Sequence, residues 1–351
     1  MLQMEPQLLS RDEFRTKVFE RDHGKCVVCP ADAVDAHHIL DRSLWDNGGY
    51  YLSNGVSLCS VHHLDAEKTH ISCETLREQA GIIYTIQPDH FYADEKYDHW
   101  GNILLPNGTR LKGELFGNEN VQKILKEAGV LSEFSSLVKY PRTYHCPWSQ
   151  NLQNDDRRHE DISFLLNKRL VVTLKMDGEN TTMYNYNIHA RSLSSGHHPS
   201  RSFVKSLHGQ IAHDIPGGFR ICGENLYAKH SIHYEHLKSY FLVFSIWNDN
   251  NIALSWDETK EYSALLGLET VPELCSGVYK TVEELKESVE AAFKKYQEQS
   301  KDEVEGYVIR LADRIHYKDF RKAVAKSVRK NHVQTSEFWM NQPIIPNKIE
   351  S

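Results

Sequence analysis

Two groups of side chains in this chain have the types and spacing to do chemistry. The first is Lys175-Met-Asp177-Gly178, directly after the apolar run Leu170–Leu174. A lysine closing a buried strand is a candidate covalent nucleophile, because burial and cationic neighbours can lower its pKa from about 10.4. An aspartate two residues on, followed by glycine, lets the chain bend around a bound nucleotide. K-x-D-G is short, so its weight rests on what stands downstream. The second group is Cys26-Val-Val-Cys29 with Cys59-Ser-Val-His62. Two such pairs of soft or borderline donors can close a tetrahedral zinc site, and a small domain with long loops needs such a staple. The plainer alternative is that Cys59 and His62 are unrelated core residues.

The elements that must position these groups change along the chain. Ser10-Arg-Asp-Glu13 has the form of a capping box and predicts a helix to about Asp22. Tyr97–Thr109 reads as a hairpin between turn signals. Asn118–Val138 has apolar residues at helical spacing, broken at Gly129. No chemistry attaches to the stretch around them, and His90 and His99 read as ordinary surface histidines. From Pro141 onward, strands are expected at Leu170–Leu174, Thr181–Tyr186, Phe219–Cys222, Tyr240–Trp247 and Val304–Arg310. Helices are expected at Ser200–His213, Trp256–Leu266 and Thr281–Gln299. Mixed antiparallel strands with flanking helices argue an α+β fold.

At 351 residues the chain has room for two domains with separate cores. The longest apolar run, Tyr240–Trp247, is too short to cross a bilayer, and the N-terminus lacks the pattern of a signal peptide. Seven unevenly spaced cysteines suit thiols and metal ligands in a reducing cytoplasm better than a disulfide framework. Formal net charge is −7, but Arg321–His332 carries five Lys/Arg and no acid, and Arg191–Lys205 is also basic. Each run reads either as a solvated face or as a cleft that meets nucleic acid.

Between the two ligand pairs stand Asp35-Ala-His37-His38-Ile39-Leu40 and Ser53-Asn54-Gly55, and His63 follows His62. Over about residues 12 to 80 this resembles the HNH endonuclease family, with its ββα-metal core. The resemblance implies that His38 is the general base that activates water. It makes His37 and His63 ligands of the catalytic divalent metal, and Asn54 the residue that orients the base. Cys26, Cys29, Cys59 and His62 match the structural zinc knuckle, with histidine where the family often has cysteine. Hydrolysis of a phosphodiester needs a deprotonated water and a nearby cation, which a histidine pair can serve. A zinc-stapled module that binds without cleaving is the alternative.

Downstream of Lys175 come Arg191 in Ile188-His-Ala-Arg-Ser192, Glu224 in Ile221–Leu226, the aromatic run Tyr240–Trp247, Glu305 in Val304–Arg310, and Lys326. Singly, Glu224 would read as a surface acid and the aromatics as core. In this order, over about residues 141 to 340, they resemble the covalent nucleotidyltransferase superfamily of ATP-dependent ligases and capping enzymes. Asn180, where DNA ligases and capping enzymes usually have arginine, is similar to the phage RNA ligase 2-like group. Only about eleven residues follow Trp339-Met340, too few for a C-terminal OB-fold. His332–Met340 is similar to a tail of a bacterial and phage RNA-ligase-like branch.

The expected organisation is therefore an HNH nuclease-like zinc module over residues 1–85, a connector over 86–140, and an adenylyltransferase domain over 141–351. That domain is expected to be a mixed or antiparallel-sheet nucleotidyltransferase, ATP-grasp-like, without a C-terminal OB-fold. The resemblance implies that Lys175 takes AMP from ATP, that AMP passes to a 5′-phosphate end, and that a 3′-hydroxyl then displaces it. Glu224 would contact the ribose and Phe244 would stack on adenine, with Phe241 the second choice. Glu305 would hold a divalent metal, Mg²⁺ or Mn²⁺. Arg191 and Lys326 would hold phosphates, while Asp177 and Asn180 shape the pocket. The family's last motif has two lysines one residue apart, whereas Lys326 has valines at both offsets, leaving Arg329 or Lys330 to substitute. The expected whole is a bifunctional cytoplasmic repair or processing enzyme acting on RNA, DNA or mixed ends. The alternatives are a ligase whose HNH module only binds nucleic acid, a DNA ligase, and an adenylyltransferase that modifies some other target.

Overall fold

The computed structural model describes residues 7–150, 152, 156–191, 193, 198–329 and 344–350. The chain divides into two compact units, Met1–Val138 and Lys139–Ser351.

In the first unit, helix α1 (Arg11–Arg21) starts at the expected capping box. The Ser10 N–H donates to Glu13 at 2.9 Å, and the Ser10 hydroxyl accepts from the Glu13 N–H. Its buried Phe14 and Val18 pack beside Ala36 and Tyr50. Strands β1 (Asp35–His38) and β2 (Gly55–Leu58) pair antiparallel, and α2 (Ser60–Glu67) follows through its N-cap, Cys59. This ββα run is backed by a core of Ile39, Leu40, Leu44, Val56, Leu58 and Leu76, the last from α3 (Cys73–Gln79). The expected hairpin is a three-stranded sheet of β3 (Lys96–Tyr97), β4 (Ile103–Leu104) and β5 (Arg110–Leu111). Helix α4 (Glu119–Glu127) buries Val121 and Leu125 and ends before Gly129, whose φ of +74° takes the left-handed conformation that stops a helix.

The second unit holds two sheets. One has the order β14-β7-β15-β17-β6 and is antiparallel except for the parallel β17–β6 edge. Its strands are β6 (Tyr144–His145), β7 (Arg169–Lys175), β14 (Glu273–Val278), β15 (Gly306–Leu311) and β17 (Val324–Val328). Helix α7 (Val282–Gln299) turns Leu285, Val289 and Phe293 toward a core shared with Leu170, Val172, Tyr307 and Ile309. The other sheet runs β16-β12-β11-β10-β8-β9, with β13 parallel to β11. Its strands are β8 (Glu179–Met183), β9 (Ile188–Ala190), β10 (Arg220–Asn225), β11 (Phe241–Trp247), β12 (Ile252–Ala253), β13 (Glu269–Thr270) and β16 (Ile315–His316). Residues of α5 (Ser202–Ile211) and α6 (Trp256–Leu265), including Val204 and Tyr262, pack with Met183, Ile221, Phe241, Val243 and Ile246.

The helices and main strands fall where expected, within a few residues. Strand β8 stops at Met183, three residues short of the expected end. Strand β17 lies inside a run that read as merely basic. Its Lys326 stands between buried Ala325 and Ser327, with Val324 and Val328 buried as well, so one cation masked an otherwise buried strand.

Candidate active site and candidate metal centre

A cavity of about 800 Å³ in the second unit is lined by residues of both sheets. The register places its chemistry. Gly306 pairs with Lys175, Val308 with Lys326, and Glu224 with Asn180. Strand alternation then turns Thr173, Lys175, Val308, Arg310, Val324 and Lys326 to the cavity. Gly306 is required by the close strands, since a Cβ there would lie 2.0 Å from the Ser327 carbonyl oxygen.

Lys175 Nζ donates to Glu305 Oε2 at 2.7 Å. Burial pulls the amine pKa down, but Glu305, Glu224 and Asp177 outweigh it and hold Lys175 above the ordinary lysine range. This corrects the expectation of an amine depressed by burial and cationic neighbours. The surroundings of Lys175 are dominated by carboxylates. Burial also pushes the Glu224 carboxyl up to about 8, with Glu305 and Asp177 adding to the effect. Glu224 Oε1 accepts from the Gly178 N–H at 3.2 Å. Clustered carboxylate oxygens of this kind are the hard donors that suit Mg²⁺ or Mn²⁺.

Residues 168–328 match the RNA ligase family model. That segment runs from the start of β7 to the end of β17 and contains Lys175, Asp177, Asn180, Arg191, Glu224, Phe244, Glu305 and Lys326. No curated protein matches the chain. Among solved structures, an archaeal ATP-dependent RNA ligase is 16% identical with a TM-score of 0.38, covering 55% of this chain and 48% of that one. An Aquifex aeolicus protein provisionally described as an ATP-dependent DNA ligase is 16% identical with a TM-score of 0.38, covering 69% and 55%. A Naegleria gruberi RNA ligase with pyrophosphate is 16% identical with a TM-score of 0.34, covering 54% and 57%. The chain thus spans about half the length of the solved structures it matches.

Within the segment that matches the family model, the two phenylalanine candidates separate. The β10–β11 register shifts so that Cys222 faces Ser245 and Gly223 faces Val243, leaving Phe244 as the extra residue of a bulge. Phe244 and Ser245 therefore both line the cavity, and the Phe244 carbonyl accepts from Arg310 at 2.8 Å. Phe241 is fully buried on the other face, with Met183 and Val204. Lys326 lines the cavity and donates to Asp156 at 3.1 Å; Asp156 lies 3.1 Å from Nε2 of the buried His145. Burial, then Lys175, pulls the Lys326 pKa down against Asp156. Arg191 lines the cavity and stays exposed, and Asn180 lines it with a buried Oδ1 that lacks a hydrogen-bond partner. Asp177 does not line it. Its carboxylate accepts from the Ser231 and Ile232 N–H groups at 2.8 and 2.7 Å, so it anchors a neighbouring segment. Arg329 pairs with Glu303 and is not among the cavity's lining residues, while Lys330 and the tail His332–Met340 lie outside the described residues. Sequence reasoning missed Arg201, buried in the wall and paired through two nitrogens with Glu179. Only the Arg191–Lys205 basic run hinted at it.

In the first unit, the ligand atoms of Cys26, Cys29, Cys59 and His62 all lie within 4.8 Å of one another. His62 Nδ1 is 3.4 Å from the Cys26 sulfur and 3.3 Å from that of Cys59; the Cys29 and Cys59 sulfurs are 3.9 Å apart. Tetrahedral zinc at ordinary bond lengths spaces its sulfurs by about 3.8 Å, so the four donors fit that ion. At the start of α2, the His62 N–H and then that of Val61 lower the Cys59 pKa to about 7, favouring the thiolate.

The histidines divide between the two faces of β1. His37 is buried, meets His63 edge-on at 5.0 Å, and has an Nε2 with no hydrogen-bond partner. Glu67 lies 3.9 Å from His63 one turn on. His38 stacks on Phe14 at 4.5 Å, with Tyr50 edge-on at 5.1 Å, and burial lowers it to about 4. Asn54 is buried, and its amide exchanges hydrogen bonds with the Leu40 backbone and donates to the Gly49 carbonyl. It holds the chain on both sides of the ββα turn. His99 and His90 are not surface residues, correcting the expectation. His99 is 6% exposed, stacks on His37 at 4.7 Å and bonds the Ile39 carbonyl, while His90 is held 3.1 Å from Glu114. Nothing local in the sequence marks such packing.

Among the described residues no helix is long and apolar enough to cross a membrane.

Proposed function

We propose that the second unit is an ATP-dependent polynucleotide ligase of RNA type, working through AMP carried on Lys175. One observation carries this reading: Lys175, held by the buried Glu305 at 2.7 Å, lines a cavity with Glu224, Phe244 and Lys326 inside the segment that matches the RNA ligase model. ATP is the substrate. Its adenine would lie against Phe244, its ribose at Glu224, and its phosphates toward Lys326 and Arg191. The Lys175 amine, deprotonated, forms a bond to the α-phosphorus as the bond to the β-phosphate oxygen breaks and pyrophosphate leaves. Glu305, 2.7 Å away, is in reach to take a proton from the amine. Glu305 would supply oxygens for Mg²⁺ or Mn²⁺, which would neutralise phosphate charge when bound. AMP then passes to a 5′-phosphate end, and a 3′-hydroxyl displaces it to form the phosphodiester. The test is incubation with α-labelled ATP. Label should attach to the wild type and not to Lys175→Ala; label on that variant would defeat the assignment. Nicked duplexes that vary RNA and DNA on each side would identify the strands sealed.

For the first unit we propose an HNH-type module stapled by zinc at Cys26, Cys29, Cys59 and His62. In it His38 serves as base, His37 and His63 as metal ligands, and Asn54 holds the loop behind the base. The unpartnered His37 Nε2 beside His63 supports the metal role. A second reading, a module that binds nucleic acid without cutting, is favoured by the packing of His38 between Phe14 and Tyr50. Cleavage of single-stranded, duplex or nicked substrates with Mg²⁺ or Mn²⁺ and no ATP, lost in His38→Ala, supports the nuclease. Binding without any cleavage supports the second reading.

A further inference from the structure

Residues 344–350 form a short strap over the segment between β10 and β11. Ala228 bridges Pro346 and Leu237 bridges Ile349, while the Lys229 N–H donates to Ile345 and the Glu350 N–H to Leu237. At its centre stands Asn347, 1% exposed, with every polar group engaged. Its Oδ1 accepts from the Tyr234 N–H at 2.9 Å and its Nδ2 donates to the Leu226 carbonyl at 2.8 Å. Its N–H donates to the Tyr227 carbonyl at 2.9 Å, and its carbonyl accepts from the Tyr240 hydroxyl at 3.0 Å. A buried side chain this fully satisfied fixes the geometry around it, because losing any partner leaves a desolvated polar group unpaired.

What the strap fixes reaches the cavity through one ring. Tyr234 is held at its backbone by Asn347 and by the Lys348 N–H, which donates to the Tyr234 carbonyl at 2.9 Å. Its ring is buried, and its hydroxyl accepts from the Asp177 N–H at 3.0 Å. The Asp177 carboxylate in turn takes the Ser231 and Ile232 N–H groups. The turn after Lys175 is thus gripped on two sides by a segment that the strap itself holds. A tyrosine has only two side-chain torsions, so a ring fixed at both ends transmits position with little slack.

We infer that Tyr234 and Asn347 are positioning residues for the adenylylation of Lys175, linking the strap at 344–350 to the turn that aims the amine. This rests on the assignment of Lys175 as the residue that takes AMP. Neither residue lines the cavity, so their effect is on orientation and not on contact with ATP. A misplacement of about 1 Å can cost on the order of 10²-fold in rate, so a loosened turn acts on turnover ahead of binding.

The experiment measures AMP transfer from α-labelled ATP to the full chain, over a range of ATP concentrations, together with the melting temperature. Tyr234→Phe removes only the hydroxyl. Its rate at saturating ATP should fall roughly tenfold or more, with the KM for ATP within about threefold and folding retained. Asn347→Ala should give the same split with a lower melting temperature. Lys301→Ala, which breaks an exposed pair between Lys301 and the strap residue Glu350, should label at the wild-type rate. A folded Tyr234→Phe that labels like the wild type overturns the inference and leaves the Lys175 assignment standing. A rise in KM alone also overturns it, since that is a binding defect. If the wild type takes no label, or Lys175→Ala still does, it is the assignment itself that fails.

Discussion

Lys175 Nζ lies 2.7 Å from Glu305 Oε2, so the amine rests as one half of an ion pair. The carboxylates around it hold its pKa above the ordinary lysine range in spite of burial. Attack on phosphorus needs the neutral amine, and a raised pKa lowers its fraction at any given pH. The second-order labelling rate at subsaturating ATP should therefore climb with pH from about 6 to 9, by up to about tenfold per unit. In Glu305→Gln burial is less opposed, so the profile should move to lower pH whatever its height. A flat or falling wild-type profile would refute this account of the resting state.

Glu224 tests stability against function. Its folded pKa is raised to about 8. An acid raised on folding is protonated in the native state while ionised in the unfolded chain. Its contribution is most favourable at low pH and is lost as pH rises from its unfolded value to about 8. Glu224→Gln removes that loss. At pH 7.5 the variant should be more stable by on the order of 1–3 kcal/mol, with the gap closing toward pH 4.5 and ATP labelling impaired. Thermal melts across pH measure this. A variant less stable than the wild type at pH 7.5 would contradict it.

The bulge in β11 predicts opposite phenotypes for residues three apart. Phe244→Ala should weaken ATP binding by about tenfold with a small change in stability, since it loses a stacking face in an open cavity. Phe241→Ala should cost about 3–5 kcal/mol in denaturant unfolding, because it empties a fully buried site. Equal stability losses for the two would argue against Phe244 facing the nucleotide.

Zinc content is directly measurable. The four-donor site should bring about one zinc per chain through purification. Removing it with a strong chelator should melt the first unit, read as lost circular dichroism and new proteolysis within residues 7–138. Cys29→Ala should reproduce this. A metal-free chain with an intact first unit would leave these cysteines as ordinary thiols.

How much of this was legible in the sequence depends on how local the signal is. The capping box of α1, the apolar spacing of α7, the ligand pairs and the short motifs that hold Lys175, Glu224 and Glu305 are written within a few residues each. Backbone hydrogen bonding and side-chain periodicity act over that range, so the α+β class could be read directly, while the candidate residues of the second unit came from the family resemblance that their order carries. Strand β14 escaped because Glu273–Val278 alternates poorly and is partly exposed at a sheet edge. Only the folded chain could decide that Phe244 and not Phe241 lines the cavity, since one extra residue in β11 resets which face each side chain takes. The tertiary fold also buried His99 against His37, paired Arg201 with Glu179, and turned a lysine expected to be depressed into one held up by carboxylates. Asp177 spends its carboxylate on backbone amides 54 and 55 residues away in sequence. Charge, stacking and hydrogen bonds between distant segments depend on distances that strand register alone sets. Local spacing names the candidate groups, and register and packing set which of them meet.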